Sequence, residues 1–192
     1  MRRTLGAIAL LLAATLGLVG GAVSPAAANA DRSSDRGSWS TGYTQVVVAP
    51  DVYQLIASAG ITPAPIDGAK AFAFRDTLAA QFPITGYSLT GLRIKHSGGI
   101  SLTAGSATIS LSDFYIDLGR LRVSGEVAGS AVGDAGRVDL FKIRLTDRPT
   151  LGLVKLTLTG TAAGALNSTF GVDAFGAGDT FGYATPKPFS RF

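Results

Sequence analysis

The chain has 192 residues, 46% of them hydrophobic and 16% charged, with 25 glycines, one histidine and no cysteine. That length suits one domain with a real core. The lack of cysteine excludes a disulfide framework, a thiolate metal site and a cysteine nucleophile, and a lone His96 excludes any site needing two imidazoles from one chain.

The N-terminus reads as an export signal. Met1-Arg2-Arg3 is a short basic start, Leu5 to Val23 is an apolar run, and Ser24-Pro25 leads to the small-x-small site Ala28-Asn29-Ala30. This pattern predicts a signal peptide over 1–30, cleaved after Ala30, and no retained transmembrane helix. Arg2-Arg3 leaves general secretion and twin-arginine export both open. Cleavage lowers the formal net charge from +4 to about +2. No basic run with interleaved aromatics is present, so a nucleic-acid partner is not expected. The expectation is a monomer, secreted or held at the cell surface.

Residues 31–42, rich in Ser, Asp, Arg and Gly, read as a flexible leading segment. A single β-rich domain is expected over residues 43–185, followed by a tail, 186–192. Val46-Val47-Val48 is a short strand ended by Pro50. Asp51 can cap a helix over Val52 to Ala59, whose Val52, Leu55, Ile56 and Ala59 recur at helical spacing. Gly60 stops it, and Thr62-Pro63-Ala64-Pro65 reads as an extended connector. Lys70 to Arg75 alternates as a strand, while Asp76 to Gly86, punctuated by Pro83, is ambiguous.

The clearest β signal runs from Tyr87 to Leu145. Leu92, Ile94 and His96 share one face before the Ser97-Gly98-Gly99 turn, and Ile100 to Thr103 returns. The apolar parity of Ile109 and Leu111 then flips to Phe114, Ile116 and Leu118, which marks a bulge or a new strand near Ser112-Asp113. Leu121, Val123 and Val127 are expected inside, with Arg120, Arg122, Ser124 and Glu126 in water. Further strands follow over Arg137 to Leu145 and Leu151 to Leu158. Thr161 is read as the cap of a helix over Ala162 to Phe170, ended by Gly171. The pattern predicts a mainly β protein: an antiparallel β-sandwich or partly closed barrel with two short helices.

No catalytic constellation emerges. There is no Gly-x-Ser-x-Gly elbow, and Ser97 cannot face His96 along an extended strand. Asp113, Asp117, Glu126 and Asp139 are carboxylates of the right type for acid–base work, but they sit at solvent-face positions of strands. Metal-ligand spacing is absent. Asn167-Ser168-Thr169 is formally a glycosylation sequon inside the expected helix, where no modification is expected. The terminal Phe192 suits an outer-membrane barrel, but strands of ten alternating residues are not expected here. His96 is the one group titrating near neutrality. It either serves a ligand at the mouth of the fold or shapes the turn beside it, with its ring bonded to nearby backbone. Tyr43, Tyr53, Tyr87, Tyr115 and Tyr183 are the phenols available to a rim or to the core.

Three stretches carry a family resemblance: Phe82-Pro83-Ile84-Thr85-Gly86, Leu92 to Leu102 with His96-Ser97-Gly98-Gly99 at its centre, and Ile109 to Phe114. With Val154 to Thr159 and Ala162 to Asn167, they resemble the haem-transport-associated (HtaA-type) domain over residues 43–185. The resemblance implies a secreted or surface β-rich domain and, in haem-binding members, a tyrosine ligand assisted by a histidine. His96 matches the histidine; Tyr43 and Tyr53 are the upstream candidates for the tyrosine. The expected function is therefore a binding or interaction domain of the cell envelope, taking haem or another apolar ligand or an envelope component. A structural surface protein without a small ligand, and an enzyme of unrecognised type, are the other classes left open.

Overall fold

The computed structural model describes residues 42–192. The expected signal peptide, its cleavage after Ala30 and the leading segment up to residue 41 lie outside the described residues. The elements are β1 (Gly42–Val48), α1 (Pro50–Ser58), β2 (Thr62–Ile66), β3 (Lys70–Phe74), β4 (Thr77–Ser88), β5 (Arg93–His96), β6 (Gly99–Ala104), β7 (Ala107–Asp117), β8 (Arg122–Gly129), β9 (Gly133–Leu145), β10 (Val154–Leu158), α2 (Gly160–Phe170) and β11 (Thr180–Pro188).

Strand makes up 56% of the structure, and eight strands close an antiparallel barrel in the order β4-β1-β11-β10-β9-β8-β7-β5, with β5 pairing back to β4. Of the two β architectures the sequence allows, the chain takes the barrel. Closure leaves those eight strands paired on both sides, which removes the exposed edges a sandwich would carry. The closing strand β5 is only four residues long, against 12 in β4 and 11 in β7. Beyond its reach the edge of β4 pairs with β3, and the edge of β7 pairs with β6, which carries β2 outside it.

The parity flip near Ser112 is a bulge inside one continuous strand. On β7 the register to β8 slips between Ser112 and Tyr115, and Asp113 adopts φ 49°. The extra residue turns Phe114 and Ile116 inward while Tyr115 faces out. At the same place the other edge of β7 changes partner, from β5 at Tyr115 to β6 at Ser112.

Local chemistry explains several differences from the expected elements. Asp51 does not cap α1; Ala49 is the N-cap, Pro50 opens the helix, and Asp51 lies in the first turn beside the exposed N–H groups. For α2 the cap is Thr159 rather than Thr161, its hydroxyl accepting from the Ala162 N–H, and Gly171 closes the helix at φ 64°. The proline-rich connector is strand β2, tolerated because it is an edge strand that pairs only with β6. The ambiguous stretch is β4, which lacks alternation because Ala79, Ala80, Phe82, Pro83 and Ile84 are buried on both of its faces. Strands β4, β7 and β9 exceed ten residues, contrary to expectation, yet the outward face of β9 carries Lys142, flanked by the inward Phe141 and Ile143 and paired with Arg122 of β8, which a lipid-facing barrel wall would not. The last strand runs to Pro188 and stands between β1 and β10.

The two ends of the barrel differ. Because β1 and β10 both run antiparallel to β11, they point the same way, and the helices that follow them sit at one end. Val52 and Ile56 of α1, and Ala162, Ala163 and Leu166 of α2, are buried there. The opposite end, the mouth, carries the β4–β5 turn, the β7–β8 turn and the β9–β10 loop. Deleting Asp113 would put Phe114 outside and slip the rest of β7 by one position. We expect a loss of ~3 kcal/mol or more in urea denaturation, whereas Asp113→Gly, which relieves the left-handed backbone, should gain up to ~1 kcal/mol.

Candidate functional site

The barrel is not completely filled. A cavity of about 120 Å³ runs from Leu118 and Val154 near the mouth to Tyr53 and Ile56 of α1. Alternation on β1 supplies Thr44, Val46 and Val48 to its wall. The five residues from Thr44 to Val48 thus span the cavity, roughly 13 Å of strand. Beside them on β4 is Phe82, the cross-strand partner of Thr44, and further round the wall stand Phe114, Ile116 and Phe141, with Phe82 and Phe114 edge to face at 4.8 Å. The polar side chains on this wall are Thr44, Tyr53 and His96.

His96 is 5% exposed and belongs to the interior, not to the edge of the turn. Its Nδ1 lies 3.1 Å from the Phe114 carbonyl oxygen and its Nε2 2.7 Å from Thr44 Oγ1. A carbonyl can only accept, so Nδ1 carries the proton and donates, while Nε2 accepts from the Thr44 hydroxyl. The bulge makes this possible, since it presents the Phe114 carbonyl where β7 changes partner. The expected contact with nearby turn backbone is therefore replaced by a bridge between β1 and β7, across 52 and 18 positions of sequence. Burial holds the imidazole at about 4, far below its ordinary 6.5, against the smaller opposing pull of the Phe114 carbonyl.

The tyrosine candidates separate. Tyr43 lies on the outward parity of β1, 6.0 Å from the Phe192 ring and 5.5 Å from Lys187 Nζ. Tyr53 lines the cavity at its α1 end. Thr44, which holds His96, is at the other end of β1, so His96 and Tyr53 share a cavity while the two imidazole nitrogens are bonded elsewhere. Tyr115 lies on the outer face with Arg93, Lys95 and Arg137 around its ring, and the buried Tyr183 donates to Asp147 at 3.1 Å.

The candidate carboxylates do not converge. Asp117 pairs with Arg93, Asp139 with Arg120 and Arg122, and Glu126 with Arg137, while Asp113 sits exposed at the bulge. The backbone N–H of Arg120 holds the Asp117 carboxyl below its usual range, helped by Arg93. Among the described residues no cluster of His, Asp and Glu could hold a metal ion, and no described helix is long and apolar enough to cross a membrane. The Asn167 side chain is occupied: its amide donates to the Phe175 carbonyl and accepts from the N–H groups of Ala174 and Phe175. Sequence reasoning missed Thr44 and Phe114. The inward parity of Thr44-Val46-Val48 was the available signal for the first.

A closed antiparallel barrel with a helix-capped end and an apolar interior is an architecture whose eight strands leave room for side chains or one small ligand. Among solved structures, the chain is similar to the haem-binding protein HtaB from Corynebacterium glutamicum: TM-score 0.53, 12% identity, 77% of this chain and 93% of that one. It is also similar to the C-terminal domain of HtaA from Corynebacterium glutamicum: TM-score 0.51, 11% identity, 74% of this chain and 93% of that one. At such identity the likeness is one of fold, and the fold is Hta-like. No protein-family profile and no curated protein matches the sequence.

The depressed His96 gives a pH dependence whose sign is fixed. Below pH 6.5 the unfolded chain takes up a proton that the folded ring refuses until about 4. Stability should therefore be full above that range and fall by about 3 kcal/mol as pH drops from about 7 to about 4. In His96→Gln this slope should flatten when urea unfolding is repeated across the same range. His96→Ala, which leaves the Thr44 hydroxyl buried without its acceptor, should cost ~2–3 kcal/mol at neutral pH, more than a turn residue would.

Proposed function

We propose that this protein is an exported binding domain of the cell envelope whose barrel takes up a slender apolar molecule, such as an acyl or isoprenoid chain. One observation carries the reading: a long cavity of about 120 Å³ in which two of the three polar side chains on the wall are bonded to each other. An apolar cavity of ~150 Å³ stays dry and accepts a compact hydrocarbon, and this one has comparable volume in an elongated form. Leu118, which stands both in the cavity wall and at the mouth, marks the way in. The export signal read from residues 1–30, and acid–base groups that stay apart among the described residues, support a binding role outside the cytoplasm over a catalytic one.

Haem is the second reading, favoured by the fold shared with the haem-binding protein HtaB. The donor set inside the closed barrel does not fit it. His96 has both nitrogens engaged, and no cation lines the cavity to meet propionates. Tyr53 is the single phenol on the wall, and the His96 ring is not bonded to it.

Fluorescence titration with cis-parinaric acid tests the first reading. We expect saturable binding of one molecule per chain. Ala80→Leu, which fills the cavity from β4, should weaken it about tenfold while the domain stays folded. A parallel hemin titration should give no saturable tyrosinate spectrum. A hemin spectrum that saturates and is lost in Tyr53→Phe would instead establish the second reading.

A further inference from the structure

The mouth of the barrel has a surface that ligand binding inside does not require. Every large apolar side chain that stands exposed among the described residues, except Phe72, lies in this rim. Leu89 and Leu92 tip the β4–β5 turn, Leu118 and Leu121 the β7–β8 turn, and Leu145 and Phe189 end β9 and follow β11. Leu89, Leu145 and Phe189 are 87%, 91% and 88% exposed. Leu121, expected inside with Val123 and Val127, stands at a tip instead, and Leu92 and Leu118 lie in the turns beyond the strands whose apolar parity they share. The turns are tied into one rim, with the Leu118 N–H donating to the Leu92 carbonyl and the Ile143 N–H to the Leu121 carbonyl.

Backbone conformation adds a second, independent observation. Leu92, Leu121 and Phe189 adopt φ 49°, 52° and 60°, the left-handed region that suits glycine or asparagine and penalises bulky side chains. These positions are thus unfavourable twice, in backbone and in exposure. Neither cost follows from closing a barrel.

Charge identifies what the rim fits. Directly behind the apolar tips stand Arg93, Arg120, Arg122, Arg144, Arg148 and Lys187, against the acids Asp117, Asp139 and Asp147. The helix end is the reverse, with exposed Asp51, Asp76, Asp134, Asp173 and Asp179 and the cation Arg75. The molecule is polarised along the barrel axis.

We propose that the mouth docks on an anionic lipid bilayer, with the leucine and phenylalanine tips entering the headgroup–acyl boundary and the arginines behind them meeting lipid phosphates. A flat acidic protein would satisfy the cations and leave the protruding aliphatic tips unburied, and a second copy of this chain would bring two cationic rims together. An anionic membrane surface satisfies both features at once. The inference rests on the rim and the charge distribution alone and holds whatever the interior binds.

The test is co-sedimentation of the chain from Asp31, the form that the expected cleavage after Ala30 leaves, with two kinds of vesicle. One is phosphatidylcholine alone; the other contains about three parts in ten phosphatidylglycerol. We expect about tenfold stronger partitioning into the anionic vesicles, weakened at high salt. Leu92→Asn with Leu121→Asn should reduce that partitioning about tenfold, while the thermal midpoint holds or rises because asparagine suits the left-handed backbone. Equal partitioning into both vesicles, or an unchanged variant, would sink the proposal. So would light scattering showing a dimer that the same substitutions convert to monomer, since the rim would then be a contact between copies. Parinaric acid and hemin titrations without vesicles read the interior separately, so failure there leaves this result standing.

Discussion

The structure depends on how one strand, β7, serves three partners. It pairs with β8 along one edge and, along the other, with β5 near the mouth and β6 towards the helix end. Two straight strands cannot divide an edge in this way without a change of direction, and the bulge at Asp113 supplies it. The same residue resets the parity of Phe114 and Ile116, so β7 keeps an apolar face to the interior on both sides of the bulge. It also presents the carbonyl that His96 bonds. Closure, the lining of the cavity and the position of the one histidine thus share a single local cause.

The interior follows a simple electrostatic logic. A hydroxyl and an imidazole placed separately in an apolar cavity would each leave an unpaired polar group, which is costly in a low dielectric. Thr44 and His96 meet instead, with the remaining ring nitrogen on Phe114, and the wall is left almost without polar demand. Such a cavity offers an incoming molecule apolar contact and shape but few hydrogen bonds. On this ground a slender apolar chain is proposed for the interior over a group that needs ligation at a metal and charge compensation at its rim. The Hta-like fold provides the barrel; the residues on its inner face decide what it can hold.

Outside, the molecule sorts its surface along the axis. The helices close one end and leave acids around it, and the turns at the other end gather exposed leucines with arginines behind them. The cavity reaches towards that second end through Leu118. An apolar ligand drawn from a membrane would therefore meet the rim before the interior, and the two proposals describe successive parts of one path without requiring each other.

Much of the fold was legible in residue order. The alternation from Tyr87 to Leu145, the parity flip near Ser112, both helices and the inward parity of His96 were all readable, because each is a local consequence of side-chain periodicity or turn chemistry. β4 was not, since a strand buried on both faces shows no alternation, and β2 was hidden by prolines that only an edge strand accepts. Leu121 was expected inside because parity says which side of a strand a residue takes, not where the strand ends. The amino-acid sequence by itself determined a β architecture, two short helices and a histidine on an inner face. Tertiary structure alone decided that the sheet closes into a barrel, that Thr44 and Phe114 hold His96, and that Tyr43 points away while Tyr53 reaches the cavity. Those outcomes are set by pairings between residues tens of positions apart, which local periodicity does not encode.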